Sequence, residues 1–221
     1  AGTTNAVLDY LFVAVFNFGL AGAAVATGIG QVVGGLIPLI YFILPNDSLL
    51  KLVKTKLSIK ELLAACANGS SELMSNVSSS IVGMVYNLQL MKYIGEDGVA
   101  TYGVLMYVQF VFVAIFIGYS IGTAPIVGYN YGATNYDELK NVRKKSIAIM
   151  FTTGITLSII AQLLAGTLAK IFVGYDQNLY VLTVHAFRIF SFAFILTGFN
   201  IFSSSFFTAL NNGAISALIA F

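Results

Sequence analysis

The sequence predicts an all-α integral membrane protein, a polytopic helical bundle. Three observations predict it. Of 221 residues, 58% are hydrophobic and only 9% are charged, where a soluble domain carries about 25% charged residues. Apolar runs of bilayer length recur along the chain, and a transmembrane helix needs about 20 such residues. No stretch shows the alternating segments of about ten residues from which membrane barrels are built. The net charge of +2 is too small to mark a nucleic-acid binder. One cysteine, Cys66, excludes an internal disulfide and a cysteine-based zinc site. The opening AGTTNAVLDY lacks the basic start of a cleavable signal peptide.

The apolar segments run 6–16, 20–44, 62–91, 99–129, 146–173, 179–210 and 214–221. The first and last are too short to cross a bilayer, which predicts that the chain is part of a longer protein. The second carries small residues throughout GAAVATGIGQVVGG, the composition of close helix packing in membranes. It stops at Pro45. The fourth and fifth each hold a lone polar residue, Gln109 and Gln162, for which hydrogen bonding between helices is the expected role. The sixth carries a sparse stripe of Thr197, Asn200, Ser204, Thr208 and Asn211, of which Asn200 sits near mid-span with no local partner.

The stretch 45–60, PNDSLLKLVKTKLSIK, is the longest polar connection. It separates an expected first region, 1–45, from a second, 61–221, with 46–60 as the connector. Lys51, Lys54, Lys56 and Lys60 lie in it, and Lys140, Arg143, Lys144 and Lys145 lie between the fourth and fifth segments. Together these are eight of the eleven basic residues. Two spans separate the groups, so they face one side, and the positive-inside rule makes that side cytoplasmic.

Polar groups within a bilayer are expensive and informative. In NGSSELMSNVSSSIVGMVYN (68–87), Asn68, Glu72, Asn76, Ser79, Gly83 and Asn87 recur at steps of three or four, which puts them on one helical face. That face is expected to meet a cavity or a partner helix. Glu72 is the only carboxylate in the middle of a complete span. It lies about three turns from Lys60, some 18 Å along the axis. One reading makes it a proton or cation site, because desolvation disfavours the charged form of a carboxyl group. The other makes it a carboxyl near the membrane surface, bonded to neighbouring serines. Enzyme readings fare poorly: His185 is the sole histidine, no HExxH or G-x-S-x-G pattern occurs, and Asp9 and Asp176 are not placed to share a proton as a catalytic pair must.

GLAGAAVATGIGQ (19–31) after NAVLDYLFV (5–13) resembles the fifth and sixth helices of the multidrug and toxic compound extrusion (MATE) transporters. NGSSELMSNVSSSIVGMVYNLQLMKYIGEDGVATYGV (68–104) is similar to the start of the second six-helix lobe. GTAPIVGYNYGATNYDELK (122–140) is similar to the end of the eighth helix and the loop that follows. The resemblance implies a two-lobe, twelve-helix protein, of which this chain runs from the end of helix five into helix eleven. It implies a bacterial inner-membrane antiporter that exports cationic or aromatic compounds in exchange for protons or sodium ions by rocking its lobes. No cofactor is implied beyond the coupling ion, and the partners are the substrate and the lipid bilayer, with no nucleic acid and no obligate protein partner. Relatives carry a glutamate and an aspartate as cation ligands; the matching positions here fall near Ser78 or Ser79 and at Asn200, so neither acid is present. The candidate coupling and cavity residues are therefore Glu72, Asn68, Asn76, Ser79 and Asn200. Gly122, Pro125, Gly128 and Gly132 are candidates for a hinge: Pro125 lacks a backbone donor, and the glycines would allow tight packing and a sharp exit. An ordinary helix terminus is the other reading of that stretch. A lipid-linked oligosaccharide flippase of the same superfamily is the alternative transporter reading, and it would need several basic residues in its cavity, where the full spans offer only Arg188 well inside. An intramembrane enzyme is a further alternative.

Overall fold

The computed structural model describes residues 1–45 and 57–220, and those residues contain helices and no strand. They divide into two compact units, Ala1–Leu57 and Ser58–Phe221. Most of the expected 46–60 connector lies outside the described residues, and its last two positions already belong to a helix.

In the first unit, α1 (Gly2–Asp9) passes into a π-helical turn, Tyr10–Val15. The chain then reverses through Asn17 and Gly19, both with positive φ, into α2 (Gly19–Ile43). Small residues explain the pairing. Gly22, Ala26, Gly30 and Gly34 recur every four residues on the face of α2 that meets α1. A methyl group on Gly22 would lie 2.9 Å from Phe18 Cβ, and one on Gly34 would lie 2.8 Å from Ala1 Cβ. The close packing expected of this stretch is what the structure has.

The second unit begins with an N-cap serine: in SIKE, Ser58 accepts from the Glu61 amide at 3.5 Å. It satisfies one of the free donors of α3 (Ile59–Tyr93). Three more long helical runs follow. α4 spans Glu96–Gly132 and α5 spans Tyr136–Val173, capped by the Asn135 side chain. The third run is interrupted: α6 (Gln177–Phe190), capped by Asp176, passes through a 3₁₀ turn at Ser191–Ala193 into α7 (Phe194–Ala209). A short α8 (Gly213–Ala220) closes the described chain.

α7 packs on α4 and α5, α6 packs on α5 and α4, and α8 lies between α3 and α7. The core is aromatic and close-packed: Phe116, Phe187, Phe194 and Phe202 are at most 2% exposed, and Ala161 and Ala165 are completely buried. The exterior is apolar too. Phe110, Leu163 and Leu196 are 76%, 78% and 69% exposed, a surface that suits lipid and not water. Among the described residues, four helical runs are long and apolar enough to cross a membrane: Gly19–Ile43, Glu96–Gly132, Tyr136–Val173 and Gln177–Ala209. The 62–91 segment, expected as a fifth span, does form a helix of 35 residues. It is not among the four, because serines and asparagines lower its hydropathy. The chain is thus a multi-pass membrane protein with one polar helix among its apolar ones.

Candidate functional site

The polar helix faces a cavity of about 550 Å³. α3 contributes Glu72, Ser75 and Ser79, α4 contributes Ser120, and α7 contributes Asn200 and Ser204. Three residues singled out from the sequence, Glu72 and Ser79 of α3 and the distant Asn200 of α7, therefore line one cavity. Among the described residues, neither the Glu72 carboxylate nor the Asn200 amide has a hydrogen-bond or ion-pair partner. Ser120 is 3% exposed, and its hydroxyl oxygen is buried with no partner. A buried hydroxyl without a partner is costly, so this lining is suited to receiving a polar guest.

Asn68 and Asn76 do not join the cavity. Asn68 Nδ2 donates to the Thr208 carbonyl at 3.1 Å, tying α3 to the end of α7. The Asn76 side chain folds back to donate to the Glu72 carbonyl at 2.8 Å, as Asn87 does to Gly83 at 2.9 Å. Of the stripe drawn from the sequence, Glu72 and Ser79 line the cavity and Asn68 reaches the partner helix α7, whereas Asn76 and Asn87 bond back to α3 itself. The buried side of α3 runs through Ser71, Ser75 and Ser78, and Glu72 sits at its margin. Ser71 is 1% exposed and its hydroxyl donates to the Asn68 carbonyl at 3.1 Å.

Among the described residues, the tight packing expected at the 122–132 glycines is absent. α4 continues helically through Pro125 to Gly132. A methyl group on Gly122 or Gly132 would meet nothing within 4 Å, and one on Gly128 would only touch the Ala209 carbonyl at 3.9 Å. The sharp exit is made by Thr134, with φ +56°, whose amide donates to the Tyr131 carbonyl at 3.0 Å. Tight packing occurs instead at Gly154, where a methyl group would lie 2.8 Å from the Phe194 carbonyl, and at Gly198, which abuts the Phe116 ring.

Of the two lone glutamines, Gln162 bonds between helices as expected. Its Nε2 donates to the Arg188 carbonyl and to Ser191 Oγ, both at 2.7 Å, and so supplies a donor where the 3₁₀ turn interrupts the helical ladder. Gln109 does not: its Oε1 is buried without a partner. It lines a second cavity of about 530 Å³, beside the stacked rings of Tyr86 and Tyr102, whose centroids are 5.5 Å apart.

The first unit holds a polar group built around Asp9, which the sequence offers only as a poorly placed catalytic partner of Asp176. Asn5 and Asp9 lie one turn apart on α1. Asn5 Nδ2 donates to Thr27 Oγ1 of α2 at 3.3 Å, and Asp9 Oδ1 is buried with no partner. Asp9 sits immediately before the π-helical turn, a rare distortion that recurs at functional sites. The signal was present in the sequence as Asn and Asp four residues apart.

The family model MatE matches residues 73–221. The chain belongs to the MATE transporter family. Among curated relatives, this MATE chain is 27% identical over 224 residues to the multidrug export protein MepA of Staphylococcus haemolyticus strain JCSC1435, covering 98% of this chain and 47% of that protein. It is 31% identical over 152 residues to MepA of Staphylococcus aureus strain NCTC 8325 / PS 47, covering 66% and 33%. The chain thus spans about half the length of the curated relatives it matches over its whole extent. Solved structures share the fold. An outward-facing multidrug resistance MATE transporter of the MOP superfamily superposes with a TM-score of 0.89 at 24% identity, over 99% of this chain and 49% of that one. A MOP superfamily transporter from Pyrococcus furiosus Vc1, described as having a binding pocket of reversed polarity, gives 0.90 at 24%, with the same coverage. These neighbours are two-lobe, twelve-helix proteins, and the present chain is part of such a fold.

Proposed function

We propose that the intact protein is a secondary active antiporter of a bacterial cell membrane, exporting cationic or aromatic small molecules in exchange for protons or sodium ions. The observation that carries this reading is the lining of the α3–α4–α7 cavity: one carboxylate, several hydroxyls and an amide, with no basic side chain. Such a lining suits a cation and repels a pyrophosphate, so it disfavours the flippase alternative. Arg188 is exposed and does not line the cavity.

In this reading the first unit is the end of the N-terminal lobe and the second is the larger part of the C-terminal lobe. Each carries one candidate coupling carboxylate, Asp9 and Glu72 respectively. Exchange follows if export and ion entry favour opposite lobe arrangements, since a ligand shifts only an equilibrium whose two states it binds unequally. The kinship with MepA proteins supports a multidrug substrate range.

Reconstitution of the intact protein tests the reading. Efflux of a fluorescent organic cation, driven by an imposed proton or sodium gradient, is compared for the unaltered protein, Asp9→Asn and Glu72→Gln. Loss of gradient-driven efflux in at least one variant, with normal insertion into the vesicles, is the expected result. Normal coupling in both variants and in their combination would remove the basis for the proposal.

A further inference from the structure

The two cavities of the second unit are stacked along the same helices and share one wall residue, Ser79 of α3. One holds Gln109 and the Tyr86–Tyr102 pair and reaches the α3–α4 turn at Ile94. The other holds Glu72, Ser120 and Asn200. Each contains a buried polar oxygen without a partner, Gln109 Oε1 and Ser120 Oγ. Such orphans are costly unless a polar guest visits, and here they occur on both sides of a single boundary.

The boundary is aromatic. On α4, Gln109, Phe112, Phe116 and Ser120 follow at steps of three and four, so they lie along one face; the first lines one cavity and the last lines the other. On α6 and α7, Phe190 lines the tyrosine cavity and Thr197 the acid cavity, with Phe194 between them. Phe194 packs edge-on against both Phe112 and Phe190, with ring centroids 5.2 and 5.8 Å apart. The Ser191–Ala193 3₁₀ turn falls at the same level, and a 3₁₀ stretch within a helix often marks a hinge.

We propose that the layer of Phe112, Phe116, Phe190 and Phe194 is a gate for the coupling ion, closing a passage between the Gln109 cavity and the Glu72 cavity. The proposal deepens the antiporter reading and rests on Glu72 being a group the ion reaches. Closed rings exclude water, and a hydrophobic constriction stops ions by dewetting. Motion of α6 against α7 at the 3₁₀ turn parts Phe190 from Phe194 and lets water join the two cavities beside Ser79. The Gln162 amide, bound to the Arg188 carbonyl, holds the closed arrangement. A proton that enters travels through cavity water and ends on the Glu72 carboxylate; a sodium ion exchanges part of its hydration for the oxygens of Glu72, Ser120 and Asn200.

The test is ion leak without drug. The intact protein is reconstituted in vesicles with a trapped pH-sensitive dye, and uptake of radioactive sodium is followed in parallel. Phe190 is chosen because it is only partly buried and its removal spares the core. Phe190→Ala is expected to raise the leak of one of the two ions at least about tenfold, equal to lowering the barrier by about 1.4 kcal/mol. Phe190→Leu, which keeps an apolar plug, is expected to stay tight. A Phe190→Ala protein as tight as the unaltered one towards both ions overturns the gate, and so does an equal leak in the alanine and leucine variants. Adding Glu72→Gln separates the two ideas. A leak that falls back supports both, whereas an undiminished leak keeps the gate and removes Glu72 as the group the ion reaches.

Discussion

Gly198 of α7 lies so close to the ring of Phe116 on α4 that a single added methyl group would collide with it. The ring is completely buried, so it has no free space into which to retreat. Gly198→Val is expected to destabilise the protein by about 1–3 kcal/mol, the usual cost of overpacking. The readout is the thermal midpoint in detergent. Phe116→Leu on top of Gly198→Val should recover part of the loss, because neighbours that share a contact are not additive. Strict additivity would show that the collision is not the cause.

Sidedness is the second prediction. Lys60 opens α3, and Lys144 lies in the basic start of α5; both are exposed. Each position is expected to face the cytoplasm. With Cys66 replaced, cysteines at Lys60 and Lys144 should resist an impermeant thiol reagent added outside intact cells. Labelling of either from outside would invert the topology.

His185 and Cys66 are expected to be dispensable. His185 is exposed on α6, and Cys66 is exposed on α3. Among the described residues, no cluster of three or more His, Cys, Asp or Glu side chains could hold a metal. His185→Gln and Cys66→Ala in the intact protein should leave drug resistance of the host unchanged. Loss of resistance at normal expression would give one of them a role.

Glu72 and Asn200 share a cavity but differ in kind. A carboxylate can change its charge with each ion it takes up, whereas an amide can only orient. Gradient-driven efflux should fall at least about tenfold in Glu72→Gln, about 1.4 kcal/mol of lost coupling, and by less in Asn200→Ala. An Asn200→Ala protein more impaired than Glu72→Gln would make orientation, not charge, the decisive contribution.

Some of this was legible from the residues alone. The membrane as solvent and the positions of the apolar helices depend on composition summed over about 20 neighbouring residues, and such sums do not need a fold. That α2 packs closely was legible for the same reason, because its small residues let another backbone approach; that α1 is the partner was not. The basic clusters at 51–60 and 140–145 are local in the same way, so sidedness could be argued before any helix was placed. Glu72 stood out as the only carboxylate within a complete span.

Tertiary structure alone decided which polar groups meet. A helix turns about 100° per residue, so the difference between Ser75, which lines the cavity, and Asn76, which does not, is one step that spacing could not settle. Ser120 gave no signal in its apolar span, because its importance comes from α3 and α7 arriving opposite it. Gln109 and Gln162 look alike as lone glutamines. One is bonded and the other is not, because Gln162 faces the 3₁₀ turn, where the Arg188 carbonyl and the Ser191 hydroxyl both accept from it. The glycines at 122–132 were candidates for a tightly packed hinge, yet among the described residues Gly122 and Gly132 have no neighbour within reach of a methyl group, while Gly154 and Gly198 do. Close packing is a property of two surfaces, and the sequence of one helix describes only its own.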